Sequence, residues 1–517
     1  MSTDVTKRPK DSKSFWKTRY TMLLLNTLGL AICNTTRVNI SVAIVDMVNG
    51  TALRERVAVD GGAVFHDPDA CPGEQVLEGP SGGKDGEFIW DTQMQGEILA
   101  GFYYGYTLGH IPGGVLADRF GGKVVLLFSV LVSSLLAILT PLSAWAGYYA
   151  LFINRFCQGL TQGGTIPAIQ TTVCTWAPDH ERSLFSLIFL GMFIGNLVSM
   201  AVTGALCETV IGWPLSFYVF GGVGILWSVS WFLQAADSPA QHPYIDPVER
   251  SYIEATIKSA AKKNLPVPWK SIIKTPAIWA LVAIMITFDW SFYLLVTLPL
   301  YLGQVLHYDI RSNGIISAVP HMTGAAGSVA FVWFTNFLLR KEFVSKIWTF
   351  RIINALGTLV PAVALVVVAL VGCDSATIIA MLAISGFCTA TDCTGSYLNM
   401  QIIAPNYAGT IVGIVNMFAN LTGIAVPYVV GAFTNDNPTR AAWNTVFYLS
   451  AAVATVSYVV YAVFTTTEEQ PWNVPASERA QKANVNEGIE NTAFDEGVTQ
   501  IADRQTTQKG HWKAIVP

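Results

Sequence analysis

Runs of roughly twenty mostly apolar residues, separated by short polar breaks, fill most of the chain. A run of that length crosses the hydrocarbon core of a bilayer as a helix. Twelve can be placed, at about 20–47, 94–117, 123–146, 149–173, 184–207, 212–235, 276–301, 312–338, 346–371, 375–399, 407–433 and 442–464. Two breaks are long. Residues 48–93 are rich in Gly, Asp and Pro, and residues 236–275 form a charged segment, "DPVERSYIEATIKSAAKKN", that divides the helices six and six. The pattern predicts an all-α membrane protein. Its expected parts are a leading segment 1–19, a first six-helix half 20–235 with a loop 48–93, a linker 236–275, a second half 276–464, and a polar, disordered tail 465–517.

Composition sharpens this picture. Only 13% of the 517 residues are charged and the mean hydropathy is +0.44, against about a quarter charged in a soluble domain. A net charge of −4 gives no sign of a nucleic-acid partner. An even number of helices puts both termini on one side, and the basic residues say which. With that side cytosolic, 24 of the 31 Lys and Arg lie inside, and only Arg54, Arg56, Lys84, Arg311 and Arg440 lie outside. Residues 1–19 are polar and basic and the first apolar run exceeds a signal-peptide core, so no cleavable signal is expected. No HExxH, GxSxG or Walker pattern is present, so an enzyme is not expected. The eight Cys lack metal-ligand spacing, and no metal or cofactor is expected. Cys71, Cys207 and Cys373 fall in or beside outer loops, where a disulfide among them and free thiols both stay open. The sequon at Asn49 makes that residue a glycosylation candidate close to the membrane, whereas the sequons at Asn34 and Asn39 lie within the first helix.

Ionisable residues inside a span cost roughly 2.5–3.5 kcal/mol each, so they mark function or a paired contact. Arg37, Arg155, Asp289 and Asp392 are the clear cases, with His110 and His321 as further candidates. Asn34, Arg37 and Ser41 share one face of the first helix, and Arg155, Gln158 and Gln162 one face of the fourth. Ser385, Thr389, Asp392, Ser396 and Asn399 run down the tenth at helical spacing, and Asp289 sits one turn before Tyr293 on the seventh. Positive charge thus belongs to the first half and negative to the second. Two guanidinium groups facing one cavity would bind an anion. The competing reading pairs Arg37 and Arg155 with Asp289 and Asp392 as a lock between the halves. His110 and the glycine series Gly101, Gly105, Gly109, Gly113 and Gly409, Gly413 are expected to serve helix packing.

The loop after the second helix reads "GGVLADRFGGKVVL". Gly114, Asp118, Arg119, Gly121 and Lys123 together fit the G-x-L-A-D-R-x-G-x-K loop of major facilitator transporters. "RVNISVAIVDMVN", "FYYGYTLGHIPGG", "WAPDHERS", "GWPLSFYVFGG", "WSFYLL" and "IAPNYAG" extend the resemblance over about 15–473, to the anion:cation symporter group that contains sodium–phosphate cotransporters, sialin and vesicular glutamate transporters.

The resemblance implies the major facilitator fold, with the first, fourth, seventh and tenth helices lining a central cavity. It also implies that Arg37 and Arg155 act on the substrate, with Asn34 and Gln158 beside them. Gln162, Asp289, Asp392 and His321 become the coupling-cation candidates. The chain departs from the group in several places. Gln162 stands where sialin and the glutamate transporters have a proton-coupling glutamate, and a neutral amide cannot titrate. Phe288 and Leu99 replace an arginine and a histidine of the glutamate transporters, and "MQI" at 400–402 replaces "HLD". The expected activity is symport of a small anion, inorganic phosphate or an organic anion, with Na⁺ favoured over H⁺. A proton-coupled, sialin-like carrier is the alternative, and an anion channel a more distant one. No acidic dileucine of the type sialin uses for sorting appears near the N-terminus, which favours the plasma membrane over a lysosomal or vesicular one.

Overall fold

The computed structural model describes residues 17–49, 86–90, 92–178, 180–257, 266–298, 301–302, 305–306, 310–434 and 439–474. The expected tail from 475 on and most of the loop 48–93 lie outside these residues. The chain forms two units, Met1–Glu469 and Gln470–Pro517. The first holds both helical halves and the linker. The described part of the second is one 3-10 turn, Pro471–Asn473.

The first half begins with α1, Thr18–Met47, and α2, Thr92–Phe120. A bent pass follows, α3, Gly122–Ile138, and α4, Thr140–Ala146, which meet at 47°. The next pass is broken at Gly163-Gly164 into α5, Tyr148–Gln162, and α6, Thr165–Trp176. A short α7, Arg182–Phe185, leads into α8, Leu190–Cys207, and then α9, Pro214–Gln234. The linker carries α10, Pro247–Thr256, and α11, Trp269–Lys274. The second half comprises α12, Pro276–Val296, α13, Ile310–Lys341, and α14, Lys346–Val371. Its last passes are α15, Ser375–Thr389, with α16, Ser396–Ile403; α17, Ala408–Asn420, with α18, Thr422–Thr434; and α19, Arg440–Phe464.

Among the described residues, nine helical stretches are long and apolar enough to cross a membrane, ten if the bent α3–α4 pair counts as one. The passes built from α2 and from α5–α6 complete the expected twelve in position. One carries Glu97, His110 and Asp118, and the other is broken into helices of 15 and 12 residues. The arrangement is consistent with twelve crossings. Outward faces keep large apolar side chains such as Phe128, Leu226 and Val456 exposed, as lipid contact requires.

Each half has its own apolar core. One gathers Ile40, Met47, Trp90, Leu151, Trp213 and Phe217; the other gathers Tyr293, Leu298, Tyr301, Trp443 and Phe447. Backbones touch where side chains are missing. A Cβ on Gly105 would strike the Phe156 carbonyl, and one on Gly159 the Phe102 carbonyl, so α2 and α5 lie in direct main-chain contact.

The linker is fastened to the end of the bundle where α2 meets α3, termed here the linker face. Trp176 Nε1 donates to the Ala236 carbonyl at 2.9 Å, and the Lys123 amide donates to Asp237 Oδ1 at 3.0 Å. A buried ion cluster does the rest. Arg19, 3% exposed, reaches Glu181 at 2.9 Å and Glu249 at 3.2 Å. Glu249 also accepts from the backbone amides of Thr18 and Arg19, and so closes the orphan donors at the start of α1.

Candidate functional site

Arg37 points from the middle of α1 into a cavity between the halves. Its guanidinium lies over three aromatic rings: Phe102 at 5.3 Å, Tyr103 at 4.8 Å and Tyr106 at 4.9 Å. All three project from α2. The sequence "FYYGY" places them on neighbouring turns, and its glycine, Gly105, lets α2 pack against the backbone of α5. Ring faces hold a cation without neutralising it. Nη2 donates to the Tyr293 hydroxyl at 3.0 Å, and Tyr293 donates to Asn420 Oδ1 at 2.9 Å. One polar chain thus runs from the first half into the second. Among the described residues Arg37 forms no ion pair, and neither do Arg155, Asp289 or Asp392. At this cavity the halves are therefore linked by the Arg37–Tyr293 hydrogen bond, and Asp289 and Asp392 pair with neither arginine.

Arg155 sits behind Arg37. It is 2% exposed, packs over Phe102 at 4.9 Å, and spends its donors inward. Nη1 donates to Gln158 Oε1 at 2.6 Å and Nη2 to the Arg37 carbonyl at 3.1 Å. Gln158 continues to the Thr140 hydroxyl at 3.1 Å. Neither residue lines the central cavity in this conformation. The two arginines meet side chain to backbone and do not form a paired fork. Gln162 donates to Thr36 Oγ1 at 3.1 Å. With Asn34, Cys33, Thr165 and Arg37 it lines a smaller space beside the central cavity. Asn34 itself donates to the Leu30 carbonyl at 2.9 Å.

On the opposite wall, Asp289, Asp392 and His321 line the same cavity as Arg37. The expected polar stripe on the tenth helix does not hold as one helix. It breaks into α15, a 3-10 turn Ala390–Cys393, and α16, so the stripe splits. Thr389 and Asp392 face the cavity, while Ser396 donates to Asn354 at 2.8 Å and Asn399 to Tyr461 at 3.0 Å. Phe288 also lines the cavity, as do Tyr397 and Asn416, which bond to each other at 3.1 Å. Leu99 packs instead into the apolar core of the first half. His110 is fully buried, its Nδ1 donating to the Tyr106 carbonyl at 2.6 Å.

At the linker face the halves are joined. Asp118, on the last turn of α2, accepts from the Gly409 amide at 3.0 Å and the Thr410 amide at 2.7 Å. The hydroxyls of Thr410, at 2.6 Å, and Thr171, at 3.0 Å, complete its shell. Asp118 thus caps α17, a helix of the other half, whose N-terminal amides and positive dipole end favour a carboxylate. Gly114 permits the approach, since a Cβ there would meet the Gly409 carbonyl. Gly121 has φ +99° and abuts Asp237, a conformation natural only to glycine. Arg119 is exposed and lies over Phe120 at 5.4 Å, and Lys123 lies over Phe232 at 5.5 Å.

Two candidates stand apart from the cavity. Asn49 is half-buried, its amide donating to the Phe88 carbonyl at 2.9 Å. Gly50 and Thr51 of its sequon lie outside the described residues. Cys207 is a free thiol and Cys373 is disulfide-bonded, which removes Cys207 from the possible pairings; Cys71 lies outside the described residues. Tyr293, Asn420 and Tyr103 are site residues that sequence reasoning passed over. Their spacing relative to Arg37 is tertiary, and the one signal available was Tyr293 a turn beyond Asp289.

Comparison with known proteins agrees with this architecture. Residues 40–427 match the family model described as Major Facilitator Superfamily. Sialin of Homo sapiens is 34% identical over 88% of this chain and 90% of its own length. A Drosophila melanogaster protein named "Putative inorganic phosphate cotransporter" is 33% identical over 90% of this chain and 88% of its own. The fold matches that of a solved proton:xylose symporter of the same superfamily with a TM-score of 0.61 at 14% identity, covering 87% of this chain and 97% of that one. The chain belongs to the major facilitator superfamily, a family of transporters and not of enzymes, and within it to the anion-transporter group that includes sialin and the inorganic phosphate cotransporters.

Proposed function

We propose that this multi-pass membrane protein is a secondary transporter that binds a small anion at Arg37 and moves it with a cation by alternating access. The observation that carries the reading is the state of Arg37. Its guanidinium faces the central cavity, lies over three aromatic rings and, among the described residues, is hydrogen-bonded to the neutral Tyr293 hydroxyl and forms no ion pair. A cation at the centre of a membrane protein that forms no direct ion pair is costly, and a bound anion would complete it. Arg155, Gln158 and Asn34 act on the anion through Arg37 and through the space beside it. A co-moved cation offsets the anion's charge in low dielectric.

Aromatic side chains dominate the cavity wall, among them Phe189, Phe193, Phe288, Phe292 and Tyr397. That lining favours an organic anion with an apolar body, and inorganic phosphate is the second reading. The carrier reading is preferred to a channel because the halves meet at the linker face through a localised cap, Asp118 on the amides of Gly409 and Thr410, of the kind that a rocking motion can make and break. We place both termini in the cytosol from the distribution of basic residues, and the protein in the plasma membrane, with a lysosomal or vesicular membrane as the alternative.

The test is uptake by proteoliposomes of a labelled panel: phosphate, sialic acid, urate, a monocarboxylate and glutamate. Saturable uptake that accelerates when the same unlabelled anion is loaded inside is the carrier's signature. Uptake that never saturates and ignores internal anion would refute it in favour of a channel.

A further inference from the structure

We propose that Asp289, Asp392 and His321 form the binding site for the coupling proton. The proposal rests on the anion reading of Arg37 and adds the identity and place of its partner cation. All three side chains line the cavity that Arg37 enters, from the opposite half. All three are short of partners. His321 is 5% exposed and, among the described residues, makes no hydrogen bond. Among the described residues Asp392 Oδ1 is buried with no hydrogen-bond partner, the Ser396 hydroxyl acting on the carboxylate, and Asp289 makes neither a hydrogen bond nor an ion pair, Arg37 across the cavity being the charge that acts on it. Buried polar groups in native proteins are nearly always satisfied, and an exception calls for a missing ligand or a functional role.

A proton fits this site better than a metal cation. A hard cation needs several oxygen ligands, and the neutral oxygens nearby already take part in hydrogen bonds, so a metal would have to share them. Asn416 Oδ1 accepts from Tyr397 at 3.3 Å, Asn420 Oδ1 accepts from Tyr293 at 2.9 Å, and the Thr389 hydroxyl is turned to the Gly386 carbonyl at 2.8 Å. Among the described residues no three His, Cys, Asp or Glu side chains converge as a metal cage. A proton needs one base, and it relieves the repulsion of two carboxylates facing one cavity. The other titratable or charged groups lining that cavity are Arg37, Tyr106, Tyr293, Cys393 and Tyr397; none of them is a carboxylate. This departs from the sodium preference that Gln162 suggests. The amide shows only that the first half holds no proton there, bonded as it is to Thr36.

The experiment uses the full-length protein in proteoliposomes and has two arms. In the first, acid-minus-neutral infrared difference spectra should show a protonated-carboxyl band that Asp289→Asn with Asp392→Asn abolishes and Asp392→Glu preserves. In the second, without Na⁺, an inward acid gradient should concentrate an anion of the panel. Asp392→Asn and His321→Ala should lose that gradient-driven accumulation, and Asp392→Glu should regain it, which excludes misfolding. A carboxyl band unchanged in the double variant would overturn the proposal, as would accumulation driven by a Na⁺ gradient and indifferent to acid. Arg37→Ala should keep the infrared band while losing transport. If the wild type moves no anion of the panel, the anion reading fails and the infrared arm alone decides the proton site.

Discussion

The Asp118 carboxylate of α2 caps the N-terminus of α17 at Thr410, taking its amide at 2.7 Å and its hydroxyl at 2.6 Å. The two residues belong to opposite halves. Charge-assisted hydrogen bonds contribute roughly 1.5–3 kcal/mol each, so Asp118 is a strong and localised fastening of the linker face. Asp118→Ala should free the amides of Gly409 and Thr410, raising their hydrogen-exchange rates at least about tenfold. Unchanged exchange there would mean that α17 is held by packing alone.

Gly114 makes that contact sterically possible. Gly114→Ala should force α2 and α17 apart and lower the melting temperature of the purified protein. Gly96, on the same helix, has nothing within 4 Å of an added Cβ. Gly96→Ala should hold or raise stability, by about 0.5–1 kcal/mol from the lower backbone entropy. Equal effects at the two positions would contradict the close-contact account.

Arg37 and Arg155 should separate by phenotype. Arg155 binds Gln158 and the Arg37 carbonyl in a fully packed setting, and truncating it leaves buried acceptors unpaired, at about 1–3 kcal/mol each. Arg155→Ala should lower both thermal stability and transport, while Arg37→Ala should lower transport with little change in melting temperature. If Arg155→Ala leaves stability intact but abolishes transport, Arg155 touches the anion in another conformation.

The Arg19–Glu181–Glu249 cluster is almost wholly buried. Removing one member of a buried charge set costs about 3–5 kcal/mol. Glu249→Ala also strips the acceptor from two α1 amides. Its melting temperature should fall markedly and stay insensitive to salt, since buried pairs are screened little. A small, salt-dependent loss would mean that the cluster is hydrated.

These residues also show where reading the sequence succeeds and where it stops. The helical passes were legible because twenty-residue apolar runs have few other uses. Arg37, Asp289 and Asp392 stood out because charge in such runs is expensive. Asp118 was legible as a polar helix end, but its partner was not: nothing in "ADRFGGK" says that α2 crosses α17. The break at Ala390–Cys393 was hidden for a related reason. "ATDCT" carries no proline, so helical spacing extended the stripe through Asp392 to Asn399. The aromatic sandwich around Arg37 was present as "FYYGY", yet only the packing of α1 on α2 turns those rings toward a cation.

The most direct test of the central claim is equilibrium binding of labelled anions from the panel to purified wild type, Arg37→Lys and Arg37→Ala. Arg37 as the anion's cation predicts saturable binding to wild type, weakened binding to Arg37→Lys because an ammonium lacks the planar fork, and none to Arg37→Ala at matched folding. Undiminished binding to Arg37→Ala would contradict it and move the anion site elsewhere in the cavity.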